Sequence, residues 1–197
     1  MNNLLEEIDR IIVVTINGWN TPLLDEIMWS ISSKIIWIPL YLFLIFLALK
    51  RLNVKQTLFF TLLGVLSVVA ADLISNYGFK EVFQRFRPSH NLILSSKLHL
   101  YEIKSGEFYR GGLYGFISSH SANFFAFSTF VGLALKAYYP KLLISLLTIA
   151  SLVSLSRIYL GVHYFSDVLI GGIVGGLIAY LIIHFLYFRF IEKIGTK

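Results

Sequence analysis

An all-α, polytopic membrane helix bundle is the fold class this chain predicts, and three observations predict it. Of its 197 residues, 56% are hydrophobic, and the mean hydropathy of +0.73 is too apolar for a soluble domain of this length. Apolar runs long enough to approach a bilayer's thickness recur at about 35–50, 56–78, 119–137, 141–160 and 165–188. Ionisable residues are confined to short clusters, several of them at the ends of those runs. Cysteine is absent, which excludes disulfides, thiolate nucleophiles and zinc–thiolate sites. A net charge of +6 without a long basic stretch suits anionic lipid or phosphate, and no nucleic-acid partner is expected.

Residues 1–34 come first. Leu5, Ile8, Ile12 and Val13 recur at helical spacing, with Glu6, Glu7, Asp9 and Arg10 in the remaining positions. The pattern resumes at Leu23, Leu24, Ile27 and Met28 after Asn20-Thr21-Pro22, where Asn20 or Thr21 can cap a helix and Pro22 suits its first turn. Neither stretch reaches the roughly 20 apolar residues of a span, so two interfacial amphipathic helices are expected. Glu6 and Glu7 stand where a signal peptide needs basic residues, so no cleaved targeting segment is expected.

The five apolar runs define a transmembrane domain over residues 35–190, with about five transmembrane helices. Trp37, Tyr41, Tyr138, Tyr139, Tyr164 and Tyr187 near the run ends match interfacial aromatic belts. Connections at 51–55 and 138–141 are short, and the loop at 88–118 is the only long one. Lys50, Arg51, Lys55, Lys136, Lys141, Arg189, Lys193 and Lys197 fall on one side, which predicts that side, and the tail at 191–197, to be cytoplasmic. Three polar clusters then fall on the outer face of the plasma (inner) membrane.

The first cluster continues the second span. Asp72, Asn76, Lys80 and Gln84 recur every four residues and predict one polar helical stripe facing the bundle interior, ended by Pro88. Lys80 offers a point charge and Arg87 a planar fork for phosphate oxygens, although Lys80, Arg85 and Arg87 alone also fit interfacial anchors. In the second cluster, Ser118, Ser119 and His120 precede an apolar run. They therefore sit at a predicted helix N-terminus, where free amides favour an anion and an imidazole can pass a proton. In the third, Arg157 is followed by His163 and Asp167. If residues 163–167 are helical, the carboxylate can accept the Nδ1 proton and leave Nε2 free as a nucleophile. An interfacial His–Asp hydrogen bond is the plainer alternative.

Lys80, six residues, Arg87-Pro88; Ser118 and His120; then Arg157, five residues, His163, three residues, Asp167 together resemble the three-part signature of the type 2 phosphatidic acid phosphatase superfamily. The resemblance covers about residues 72–170. It implies a lipid phosphatase in which His163 forms a phosphohistidine, Asp167 orients it and His120 protonates the leaving group. Lys80, Arg87, Ser118, Ser119 and Arg157 correspond to the phosphate-binding positions. No metal or other cofactor is implied, because fixed cations neutralise the transferred phosphoryl group. One departure stands out: Ile117-Ser118-Ser119-His120 replaces the family's Pro-Ser-Gly-His, and Ser119 is disfavoured if that position needs positive φ.

Bacterial members of this size act on lipid mono- or diphosphates, and undecaprenyl diphosphate is the expected substrate. Lipid A phosphates, phosphatidylglycerol phosphate and phosphatidic acid are the alternatives, and a closed 88–118 loop carrying Tyr101, Phe108 and Tyr109 would disfavour a large sugar headgroup. A vanadate-dependent haloperoxidase shares the phosphate-site design, but five spans count against it. A non-enzymatic lipid-binding or transport protein that keeps the anion site is the reading from a different class.

Overall fold

The computed structural model describes residues 4–195, and each of the five apolar runs is helical in it. Helices α1 (Leu4–Asn17) and α2 (Pro22–Ser32) precede a 3₁₀ turn and α3 (Ile38–Leu49). The Thr21 hydroxyl caps α2 by accepting from the Leu24 amide at 3.2 Å, with Pro22 opening the helix. Helix α4 (Val54–Leu73) opens with a reciprocal Asn53–Gln56 capping box and continues as a π-helical stretch, Ile74–Lys80, and a single turn, α5 (Glu81–Phe83). After a loop holding the hairpin β1 (Glu102–Lys104) and β2 (Glu107–Phe108) come α6 (Ser119–Ala134) and α7 (Leu142–Tyr159). Helix α8 (Phe165–Ile182) then runs through a second π-helical stretch into α9 (Phe188–Gly195).

Among the described residues, three continuous helices, at 54–83, 142–159 and 165–191, are long and apolar enough to cross a bilayer. Residues 22–32 and 35–49 add a fourth crossing if the pair, bent by 69°, counts as one broken span. Helix α6 has 16 residues and sits centrally, packed on α4, α7 and α8.

Small residues let α6 and α8 approach. A Cβ added at Gly175 would lie 2.0 Å from the Ala122 carbonyl oxygen, and one at Gly171 would lie 2.7 Å from that of Ser118. Backbones this close leave no room for a side chain, the small-xxx-small arrangement typical of membrane helix pairs. The Ser121 hydroxyl donates to the Val168 carbonyl at 2.6 Å and accepts from Ser154 at 2.9 Å, tying α6, α7 and α8 together in the interior. At the other end, Phe60, Phe130 and Tyr187 pack as an aromatic cluster.

Several sequence expectations change. Helix α1 leaves Leu5 and Ile8 on the outside and turns Asp9, Val13 and Asn17 inward, where Asp9, expected on the polar face, and Asn17 find buried polar partners. Helix α2 packs on α7 and contributes to the site wall. The polar stripe stops at Lys80: Gln84 has φ +46 and is exposed, so the helix ends there, four residues before Pro88. Of the tail at 191–197, residues 191–195 belong to α9, and 196 and 197 lie outside the described residues.

Candidate active site

Helix ends bring the three clusters together. Helix α7 ends at Tyr159, and Gly161, at φ +68, reverses the chain so that His163 precedes α8. His163 is therefore not one helical turn from Asp167. The two meet through the cap of α8: Asp167 Oδ2 accepts from the Tyr164 amide at 3.0 Å and lies 3.4 Å from His163 Nδ1. Ser118 caps α6, its hydroxyl accepting from the Ser121 amide, while its own amide donates to the Asp167 carbonyl at 2.9 Å. That bond joins the N-termini of α6 and α8.

Arg87 lies across the imidazole. Its Nε donates to the Tyr114 carbonyl at 3.1 Å, and Nη1 donates to the Val162 carbonyl at 3.1 Å and to His163 Nε2 at 2.8 Å. A guanidinium can only donate, so Nε2 carries the lone pair and the proton resides on Nδ1, toward Asp167. Burial pushes the His163 imidazole well below its ordinary pKa, and the charges of Arg87 and Arg157 push it further, so the ring is neutral at pH 7. The glycine at 115 is required here, since a Cβ would come within 3.1 Å of Arg87 and Asp167 side-chain atoms. Burial and Arg157 likewise lower Arg87, to about 10, which leaves it charged.

Arg157, in the last turn of α7, donates to the Ser32 hydroxyl and, at 2.8 Å, to the Tyr109 hydroxyl. Its Nε is buried with no hydrogen-bond partner among the described residues, a cost that an anion placed there would remove. On the opposite wall, Lys80 Nζ donates to Asn76 Oδ1 at 2.6 Å and to the Ser119 hydroxyl. Ser119 is the first residue of α6, and Gln84 is the only non-glycine with positive φ among the described residues, so serine is accommodated without backbone strain. The family proline position holds Ile117, fully buried. His120 follows in the first turn, half-buried, within electrostatic reach of Arg157, Lys34, Arg87 and Lys80.

The candidate site residues Lys80, Arg87, Ser118, Ser119, His120, Arg157, His163 and Asp167 thus lie in or beside one cluster. Others were missed: Ser32, Lys34, Asn76, Tyr109, and the pair Asp9 and Arg85 described below. The Asp72–Asn76–Lys80 spacing signalled Asn76, Arg85 stood beside Arg87 only as a possible interfacial anchor and Tyr109 only as a loop residue, and Ser32, Lys34 and Asp9 come from distant segments. The 88–118 loop carries Tyr109 onto Arg157 and is fastened to α1 and α2. Asn17 Nδ2 donates to the His99 and Tyr159 carbonyls at 2.7 Å each, and Tyr101 stacks on Trp29 at 4.5 Å. The loop covers the Arg157 side, while Lys80, Ser119 and His120 remain partly exposed.

A cavity of about 400 Å³ extends between α3, α4 and α6. Lys34 and Asn123 line it together with apolar residues including Tyr41, Leu44, Phe60 and Val65. Asn123 Nδ2 donates to Asp72 at 2.9 Å, and Asp72 accepts from Asn76 at 3.0 Å, so a polar chain leads from the cavity to Lys80.

An apolar helix bundle with clustered cations, a neutral imidazole and an adjoining apolar cavity defines a multi-pass membrane protein built to handle a lipid phosphate. The chain belongs to the PAP2 superfamily, whose pattern matches residues 58–191. It is 33% identical over 181 residues to the lipid A 4'-phosphatase of Porphyromonas gingivalis, covering 92% of this chain and 72% of that one. To the lipid A 4'-phosphatase of Bacteroides thetaiotaomicron it is 32% identical over 178 residues, 89% and 76% of the two chains. Among solved structures, the transmembrane PAP2-type phosphatidylglycerolphosphate phosphatase of Bacillus subtilis superposes with a TM-score of 0.70 at 24% identity, covering 93% and 87%. LpxE of Aquifex aeolicus gives 0.62 at 22%, covering 92% and 96%. These two likenesses establish the fold. The protein is an enzyme, a lipid phosphatase of PAP2 type.

Proposed function

We propose that the protein removes a phosphate from a lipid A-type glycolipid through a phosphohistidine at His163. The observation that carries the chemistry is the setting of His163, a neutral ring with Nδ1 toward Asp167 and its Nε2 lone pair beside the Arg87 fork. In the reaction Nε2 attacks phosphorus while the bond from phosphorus to the sugar oxygen breaks, and His120, protonated once the bound phosphate offsets the neighbouring cations, gives that oxygen its proton. Water then attacks the phosphohistidine, returning a proton to His120 and releasing phosphate. Lys80, Arg87, Arg157 and the Ser118–Ser119 helix end balance charge on the phosphoryl oxygens, the work a metal does elsewhere.

The substrate follows the relatives. Two lipid A 4'-phosphatases match about nine-tenths of this chain, which supports lipid A over the undecaprenyl diphosphate that sequence reading put first. The cavity between α3, α4 and α6 offers an acyl chain a place beside the cationic cluster. Residues 35–190 form the phosphatase domain in this reading. Its site faces outward across the inner membrane, where a phosphorylated saccharide is displayed.

The test is phosphate release by purified protein from 4'-phosphorylated lipid A, undecaprenyl diphosphate and phosphatidylglycerol phosphate, with EDTA present and with His163→Ala in parallel. Release from lipid A with EDTA, lost in the variant, is expected, together with an acid-labile phosphoenzyme on rapid quench. Activity in His163→Ala would sink the nucleophile assignment. Inhibition by EDTA would require a metal, and exclusive use of undecaprenyl diphosphate would overturn the substrate.

A further inference from the structure

Asp9 is 3% exposed although it lies on an amphipathic helix, and it reaches the nucleophile's support from the far end of the sequence. Asp9 Oδ1 accepts from the Ser166 amide at 2.9 Å and Oδ2 accepts from the Ser166 hydroxyl at 2.5 Å, so α1 caps the first turn of α8. Arg85 joins the same group. Its Nη2 donates to Asp9 Oδ2 at 2.8 Å, and Nη1 donates to Asp167 Oδ1 at 2.9 Å and to the Ser166 hydroxyl at 2.8 Å. The guanidinium also lies 4.1 Å from the Tyr164 ring centroid.

We propose that Arg85, braced by Asp9 of α1, is a positioning residue that fixes the Asp167 carboxylate and through it the imidazole of His163. Asp167 is fully buried and has one oxygen for Arg85 and the other for Tyr164 and His163, so its rotamer is determined from both sides. A buried carboxylate with a single mobile cation would follow that cation. Asp9 prevents this by pulling on the opposite nitrogen of the fork. Lysine cannot replace arginine here, because one ammonium cannot span Asp9, Ser166 and Asp167 in a fixed plane. The amphipathic helix α1 is thereby part of the catalytic architecture. This inference rests on His163 being the nucleophile.

The experiment compares Asp9→Asn, Arg85→Lys and Arg85→Gln with His163→Ala, measuring kcat, KM, the pH profile of kcat/KM and thermal stability. Asp9→Asn and Arg85→Lys should lower kcat about 10- to 100-fold with KM unchanged. The charged groups facing His163 include Asp167, Arg87, Arg157 and Lys80, with Arg85 bonded to Asp167 behind it and His120 titratable nearby, and those around Arg85 are Asp9 and Asp167, with Glu6 and Arg10 across a small adjacent pocket. Removing the Arg85 cation makes His163 easier to protonate, so Arg85→Gln should move the acid limb to higher pH, and Arg85→Lys should not. Wild-type kcat in Asp9→Asn and Arg85→Lys beside an inactive His163→Ala overturns this proposal alone. A lowered melting temperature with unchanged kcat does the same, and an active His163→Ala removes the reading beneath it. Should Arg85→Gln fail to fold, the other two variants decide.

Discussion

Replacing Gly175 by alanine tests whether the α6–α8 contact sets the geometry of the site. The added Cβ would lie 2.0 Å from the Ala122 oxygen, 2.7 Å from its carbonyl carbon and 2.9 Å from its Cα, all backbone atoms that no rotamer change can move. Ordinary contact begins near 3.4 Å, so the helices must part locally by about 1.4 Å. Overpacking of this kind costs about 1–3 kcal/mol, even though alanine favours a helix over glycine by about 1 kcal/mol. The same helices present Ser118 and His120 on one side and Asp167 on the other, joined by the 2.9 Å bond from the Ser118 amide. A shift near 1 Å between those groups lowers turnover about 100-fold.

The neighbouring residue is the control. At Gly176 a Cβ would meet only Thr129 Oγ1, at 3.6 Å, so Gly176→Ala should keep wild-type turnover and stability. Phosphate release and thermal unfolding in detergent measure both effects. Wild-type kcat and melting temperature in Gly175→Ala, or equal damage from Gly176→Ala, would refute the reasoning.

Three further outcomes follow from groups already described. Because burial and neighbouring cations hold His163 below its ordinary value near 6.5, the neutral ring persists below that pH, and the acid limb of kcat/KM should lie under 6.5. The same depression makes its stability contribution complete above the unfolded value and progressively lost as pH falls, so the melting temperature should drop on the acid side. A limb above 6.5 would contradict the assignment. Asn17→Ala removes two donated bonds and one accepted from the His99 amide at 2.8 Å, leaving the buried Tyr159 carbonyl and the part-buried His99 backbone groups unpaired at a cost of about 1–3 kcal/mol. Limited proteolysis should then cut within 88–118 faster than in the wild type.

The sequence by itself determined the membrane class, the helical runs and the inventory of the cationic cluster. Hydropathy and the spacing around Lys80, Arg87, Ser118, His120, Arg157, His163 and Asp167 are local properties, readable without coordinates. Tertiary structure decided how those residues meet. His163 reaches Asp167 through a helix cap where helical spacing suggested a turn, and the stripe from Asp72 ends at Lys80 because Gln84 adopts a left-handed backbone. It also decided that Asp9 faces inward, since its partners, Arg85 and Ser166, lie 76 and 157 residues away. A buried carboxylate is stabilised only by partners in space, and periodicity along one helix carries no record of them.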